Sequence, residues 1–200
     1  MKKLQKRKPV VVAMIGLVGS GKTTMARFLA QRLGAIIIDG DEIRLRLRKE
    51  GKSCSKVFQV ALDSGAGALS RGKSVVLCSD FIDVARRKDL EQLSHKHKIP
   101  GYYLRVTCDP DVAVGRVLAK GQGEFFEGAP VLWQGAKRGT VVKLREFWRR
   151  TPWHCKWESG NGGHWEPKRI KVTKMFSADT TDGRSWRREV IKVASRLKAR

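Results

Sequence analysis

The stretch VVVAMIGLVGSGKTT, residues 10 to 24, decides how the rest of this sequence is read. An apolar, β-branched run from Val10 to Ile15 stops at Gly16 and predicts a buried strand. After it, Gly16-Leu17-Val18-Gly19-Ser20-Gly21-Lys22-Thr23 fits G-x-x-x-x-G-K-[ST] at every fixed position. Thr24 to Leu33 then carries Met25, Phe28, Leu29 and Leu33 at helical spacing, which gives the motif the strand and helix it requires. The physics is that of a polyanion site. Glycines let the backbone wrap phosphate oxygens, and successive N–H groups with the helix N-terminus turn positive dipole toward them. Gly16, Gly19, Ser20, Gly21, Lys22, Thr23 and Thr24 are therefore the expected contacts to a nucleoside triphosphate, with Lys22 on the β- and γ-phosphates and the Thr23 hydroxyl on Mg²⁺.

Working outward, strand-like and helical runs alternate. Ala35–Ile38 reads as a second strand, Glu42–Lys49 as a short charged helix, and Ser55–Ser70 as a helix ending at Gly72. Ser74–Leu77 is a buried strand, and Asp83–Lys98 a helix with Val84, Leu90 and Leu93 on its inner face. Tyr102–Val106 is a fourth strand, and Asp111–Lys120 the helix after Asp109-Pro110. Gly121 to Gly139, with five glycines and Phe125, Phe126 and Trp133, breaks the pattern and is a candidate lid. Helix returns over Thr140–Arg150. Thr151–Pro167 sets Trp153, Trp157 and Trp165 around Gly160-Asn161-Gly162-Gly163, a hairpin or irregular insert whose tryptophans form a small local core or stack on bases. Arg169–Lys174 alternates as a fifth strand, and Asp182–Arg200 is an amphipathic closing helix with Trp186, Val190, Val193 and Leu197 inward. The organisation is a basic tail over 1–9 and one domain over 10–200, with a lid at about 116–150 and the Trp-rich insert at about 151–167. Alternating strands and helices imply an α/β fold with a parallel sheet covered on both faces and a site at the carboxyl ends of its strands.

Asp39-Gly40-Asp41-Glu42-Ile43-Arg44 falls at one of those strand ends. A carboxylate there can accept a proton from an acceptor hydroxyl or help hold Mg²⁺, and Arg44, on the same helical face as Asp41, can clamp an anion. The alternative is an N-cap with a surface partner. Arg116 and Lys120, leading into the glycine-rich segment, are candidates to neutralise the transferring phosphoryl group. Asp80 follows the third strand and is a candidate metal-associated carboxylate, directly or through water, or else a helix cap. His95, His97, His154 and His164 have no metal spacing and read as surface or loop histidines.

Two hundred residues suffice for one domain with a real core. A net charge of +23 and a pI near 10.5 would draw nucleic acid, anionic membrane or a phosphorylated substrate, or simply solubilise the surface. Cys54, Cys78, Cys108 and Cys155 form no C-x-x-C, and no segment is long enough to cross a membrane, so a reducing cytoplasm is expected.

With these residues in place the chain resembles the small P-loop kinases. The resemblance runs through Gly16–Thr24, Asp39-Gly40-Asp41-Glu42-Ile43-Arg44, Leu69-Ser70-Arg71-Gly72-Lys73-Ser74-Val75-Val76-Leu77, the Asp109-Pro110 turn and Arg116. It is similar to the AAA-type ATP-dependent kinases related to zeta toxins and polynucleotide 5′-kinases, and covers most of residues 10 to 120. Asp39-Gly40-Asp41 also resembles adenylylsulfate kinases, as does the Gly121–Gly128 segment faintly. The resemblance implies a three-layer αβα P-loop NTPase fold, sheet order 2-3-1-4-5, with Asp41 as base, Arg44 as phosphate clamp, and Arg116 and Lys120 as lid cations. Cys78 stands where many of these kinases carry an aspartate, and Lys120 where they carry an arginine.

The expected function is transfer of the γ-phosphoryl group of ATP, with Mg²⁺, to a hydroxyl of an anionic small molecule, nucleotide or nucleic acid. An adenylylsulfate-kinase-like enzyme, a polynucleotide 5′-kinase and a toxin-type nucleotide-sugar kinase are variants of it. From another class stands a nucleic-acid-stimulated NTPase without acceptor activity, motivated by the basic surface and the tryptophans.

Overall fold

A computed structural model describes residues 8–119 and 138–199. The N-terminal tail over 1–7, Lys120 and most of the glycine-rich stretch read as a lid lie outside the described residues.

The strand before the phosphate loop, β1 (Val11–Gly16), is buried along its whole length, as a central parallel strand must be. Its side chains alternate between two cores. Val12 and Met14 face one layer, where they meet Met25 and Leu29 of α1 (Lys22–Leu33) and Val190, Val193 and Leu197 of the closing helix α7 (Trp186–Lys198). Val11, Ala13 and Ile15 face the other, against Ala61, Leu62 and Leu69 of α3 (Val57–Ser70) and Leu90 and Leu93 of α4 (Val84–Lys96). The period-2 alternation of one strand thus creates the three layers.

Around β1 the sheet runs β2-β3-β1-β4-β7, all parallel, with β2 at Ile36–Asp39, β3 at Val75–Cys78, β4 at Gly101–Thr107 and β7 at Met175–Asp179. This is the implied order, with its last strand displaced. The run Arg169–Lys174 forms no ladder. It lays Ile170 and Val172 against the core, turns at Lys174 (φ 57°), and pairing with β4 begins at Met175↔Tyr103. Alternating Ile170 and Val172 mark burial here, not pairing.

The helices α2 (Gly40–Lys49) and α5 (Pro110–Ala119) start directly at the carboxyl ends of β2 and β4. The helix α6 (Arg138–His154) carries Pro152 in its last turn, and the Thr151 hydroxyl donates to the Phe147 carbonyl at 2.8 Å beside it. A two-stranded antiparallel hairpin follows, β5 (Cys155–Glu158) with β6 (His164–Pro167). Trp157 faces Trp165 across it, ring centroids 5.1 Å apart, and lies against Gly163, where a Cβ would come within 2.2 Å of the indole. The insert is therefore a hairpin, but Trp153 and Trp157 are half exposed, so the tryptophans form a contact pair more than a core. Val84, expected inward, is exposed at the first position of α4. Among the described residues no helix is long and apolar enough to cross a membrane.

Candidate active site

The phosphate loop is held by two left-handed glycines. Gly19 (φ 81°) is packed so tightly that a Cβ would come within 2.3 Å of the Ala113 carbonyl of α5, and Gly21 (φ 85°) sits at the N-cap of α1. A side chain at either position would strain the turn. Among the described residues no side chain caps α1 and no acid occupies its first turn, which leaves its leading N–H groups and dipole for an anion. Lys22 Nζ donates to the carbonyls of Gly16 and, at 3.0 Å, Leu17. Ser20 is fully buried beneath the loop, and the Thr180 hydroxyl, just past β7, donates to its carbonyl at 2.8 Å.

A cavity of about 1210 Å³ opens over the carboxyl ends of the strands. Gly16, Gly19, Gly21, Lys22, Thr23, Thr24, Asp39, Asp41, Arg44, Asp80 and Arg116 all line it, so the site residues expected from sequence converge, with Ser20 behind the wall and Lys120 outside the described residues.

Asp39 is the N-cap of α2, accepting the Asp41 N–H at 2.9 Å; burial raises its carboxyl, and the nearby charges of Asp41 and Glu42 add to that. Asp41 points into the cavity and pairs with Arg44 of its own helix and with Lys143 of α6 at 3.3 Å. Partial desolvation pushes the Asp41 carboxyl up, but Lys143, Arg44 and Lys22 more than reverse it, so it lies below the ordinary carboxylate value. Arg116 donates to the Thr180 hydroxyl at 3.1 Å and to the Thr180 carbonyl, so it braces the loop after β7 at the cavity wall.

Cys78 ends β3 opposite Asp39, and its thiol lies 3.6 Å from the Thr23 hydroxyl. Burial, then the charge of Asp39, pushes that thiol up to about 12, so the group behind Thr23 is neutral. Among the described residues that line the cavity, the Thr23 hydroxyl and the Asp39 and Asp41 carboxylates offer oxygens to a hard cation. That donor set fits Mg²⁺, which keeps several waters and takes one or two carboxylates together with substrate phosphates.

Asp80 is buried and both its oxygens are engaged. Oδ1 accepts the Gly16 and Ile82 N–H groups, each at 3.3 Å; Oδ2 accepts Arg150 at 2.9 Å and lies 3.0 Å from His154 Nε2. Burial raises its carboxyl, yet His154, Lys22 and Arg150 bring it well below the usual range. His154 is not a surface histidine: it is buried, and its carbonyl accepts Arg105 at 3.2 Å. Glu146 bridges Arg150 at 3.1 Å and Lys143 at 3.6 Å. One face of α6 therefore carries a chain of charge from Asp80 at the phosphate loop to Asp41 at the far wall. Sequence reading passed over Lys143, Glu146 and Arg150 and took His154 for a surface or loop histidine, although 143, 146, 150 and 154 recur at helical spacing and lie on one face. Asp80 and Asp41, the acids they reach 70 to 102 residues away, could not be read from local pattern.

The sequence signature of the AAA domain family matches residues 11–129. A shikimate kinase from Symbiobacterium thermophilum is 29% identical over 120 residues, 56% of this chain and 64% of that protein, so the matched region spans less than two thirds of that relative. A putative kinase from Chloroflexus aurantiacus shares the fold with a TM-score of 0.64 at 16% identity, over 96% of this chain and 99% of that one. The Mycobacterium tuberculosis APS kinase CysC, solved with AMPPNP and APS, superposes with a TM-score of 0.61 at 16% identity, over 96% and 98%. These likenesses establish the α/β P-loop fold.

Proposed function

The chain belongs to the AAA domain family, and from that premise we propose that it is an ATP-dependent phosphotransferase acting on a hydroxyl of an anionic acceptor. The observation that carries this reading is one cavity shared by the phosphate loop and the Asp41–Arg44–Lys143 cluster. Relatives named as shikimate and APS kinases support a small-molecule acceptor over a polymer. Among the described residues that cavity is lined by ten basic and five acidic side chains. A magnesium–ATP complex, still anionic, cancels only part of that excess, and an anionic acceptor supplies the rest.

In this reading the loop amides and Lys22 hold the β- and γ-phosphates. The Thr23 hydroxyl and the Asp41 carboxylate would hold Mg²⁺, which when bound would neutralise charge on the phosphate oxygens. Asp41, ionised at neutral pH, orients the acceptor hydroxyl and receives its proton. As the acceptor O–P bond forms, the bond from the γ-phosphorus to the β,γ-bridging oxygen breaks and ADP leaves. Arg44 and Lys143 face the developing charge. Arg116 holds the wall at Thr180, and Asp80 is a positioning residue for Gly16 and α6.

The test is transfer from γ-labelled ATP to shikimate, to APS, to a 5′-hydroxyl oligonucleotide and to a protein-free cell extract. Label on any acceptor, lost in Lys22→Ala, supports the reading. Label released only as inorganic phosphate under every condition overturns it.

A further inference from the structure

Beside the main cavity lies a smaller one of about 210 Å³, walled by Asp80, Asp83, Arg86, Arg149, Arg150 and Trp153. Asp80 and the three arginines also line the main cavity, so the two spaces adjoin. The acidic members are already engaged. Asp80 is matched by Arg150 and His154, and Asp83 caps α4 by accepting the Ala85 N–H at 2.8 Å. The cations are less well matched. Arg86 donates to the Asp80 carbonyl at 3.0 Å and stacks over Phe58, 4.9 Å from its centroid, and among the described residues no carboxylate pairs with it. Arg149 is exposed, without a hydrogen-bond or ion-pair partner among the described residues. Burial, and after it the neighbouring Arg150, pushes the Arg86 guanidinium down, with the charges of Asp80 and Asp83 offsetting part of this. Trp153, half exposed, gives the space an apolar wall.

A space of this size is below the roughly 300–1,000 Å³ of a whole ligand pocket and suits one group of a larger ligand. We infer that it is a subsite for a phosphate group that the acceptor already carries, held by Arg86 and Arg149 while the acceptor hydroxyl faces Asp41. The inference rests on the kinase reading and narrows its acceptor from anionic to phosphorylated. Guanidinium forks match phosphate oxygens in geometry as well as charge. Lys143 at Asp41 and Arg150 at the subsite are seven residues apart on α6, about 10 Å along the helix, a span that a sugar phosphate or a mononucleotide covers. The shared chemistry is a phosphate monoester.

Two measurements test this separately from the kinase reading. With the phosphate loop saturated by Mg²⁺ and AMPPNP, inorganic phosphate is titrated by calorimetry into wild type, Arg149→Ala, and Arg188→Ala, a loss of equal charge on the exposed surface. Wild type is expected to retain a phosphate site that weakens at least fivefold in Arg149→Ala and is unaltered in Arg188→Ala. Equal weakening in both variants, or no phosphate site beside bound AMPPNP, overturns the subsite. Failure of AMPPNP itself to bind wild type would count against the kinase, a different result. In transfer assays a hexose phosphate and a nucleoside 3′-phosphate are compared with their unphosphorylated parents. A preference of at least tenfold in kcat/KM for one phosphorylated member is expected, and which one distinguishes sugar from nucleotide. Parents accepted as well as their phosphates overturn the inference.

Discussion

Lys143 Nζ lies 3.3 Å from Asp41 Oδ2, joining residues 102 apart in sequence and tying α6 to the carboxylate assigned to the acceptor hydroxyl. Asp41 owes its lowered value to Lys143, Arg44 and Lys22 against the opposing effect of burial. Removing Lys143 therefore raises Asp41 toward its ordinary value. The expected result for Lys143→Ala is an acid limb of kcat/KM that moves to higher pH, read from a profile between pH 3.5 and 7. An unmoved limb would separate Lys143 from Asp41.

Asp41→Asn keeps the shape of the side chain and removes its charge and basicity. Loss of a positioned proton acceptor lowers kcat by roughly 10²–10⁴-fold. Nucleotide binding, carried by the phosphate loop, is measured alongside it by AMPPNP titration. Turnover at the wild-type rate would be falsifying for the assigned base.

Lys22→Ala removes the side chain that reaches the phosphates. Transfer is expected to fall by roughly 10²–10³-fold, the usual consequence of deleting one preorganised charge donor. Far-ultraviolet circular dichroism should match wild type, because among the described residues the hydrogen bonds of the Lys22 side chain go to carbonyls of its own loop. A fall in helical signal would mean that Lys22 shapes the loop as well.

Asp80→Ala strips one partner from a buried cluster and leaves Arg150 and His154 facing each other with no intervening charge. Breaking such a pair costs about 3–5 kcal/mol, equivalent to a drop of roughly 6–20 °C in Tm for a chain of this size. The sign with pH follows from the depressed carboxyl. Its stabilisation is complete above the ordinary aspartate pKa and is lost as pH falls through and below it. Wild-type Tm should thus decline steeply below about pH 4, and Asp80→Asn should decline less steeply. Parallel curves for the two proteins would remove Asp80 from the acid response.

Cysteine reactivity gives a check that needs no substrate. Cys54 is partly exposed, whereas Cys78, Cys108 and Cys155 are buried and burial raises all three thiols. Iodoacetamide at pH 8 should label Cys54 first, with the other three at least about tenfold slower, followed by peptide mass spectrometry. Labelling of Cys78 as fast as Cys54 would place it outside the wall behind Thr23.

The phosphate loop, Asp41 and Arg44 were legible in the sequence because each depends on residues close in the chain: a strand, a glycine turn, and a helix bearing a carboxylate and an arginine three residues apart. The position of the fifth strand was not. Ile170 and Val172 alternate as a strand does, and only pairing with β4, 72 residues away at Thr107↔Asp179, selects Met175–Asp179 instead. His154 was misread for the same reason. Nothing near it in sequence announces Asp80, and a lone histidine beside a tryptophan-rich turn looks like surface until a distant carboxylate is folded onto it.

The hydrogen bond from Thr180 to the Ser20 carbonyl spans 160 residues, and it sets an order on biosynthesis. The glycine loop leaves the ribosome early, but the hydroxyl that braces it belongs to the loop after the last strand of the sheet. At about 5–20 residues per second the loop waits roughly 10–30 s for that partner. During this interval β4 exposes the edge that β7 later covers, and an uncovered parallel edge invites pairing with another chain. A nascent chain stalled before residue 175 should therefore bind nucleotide poorly and recruit chaperones, although its whole G-x-x-x-x-G-K-T motif has already been made.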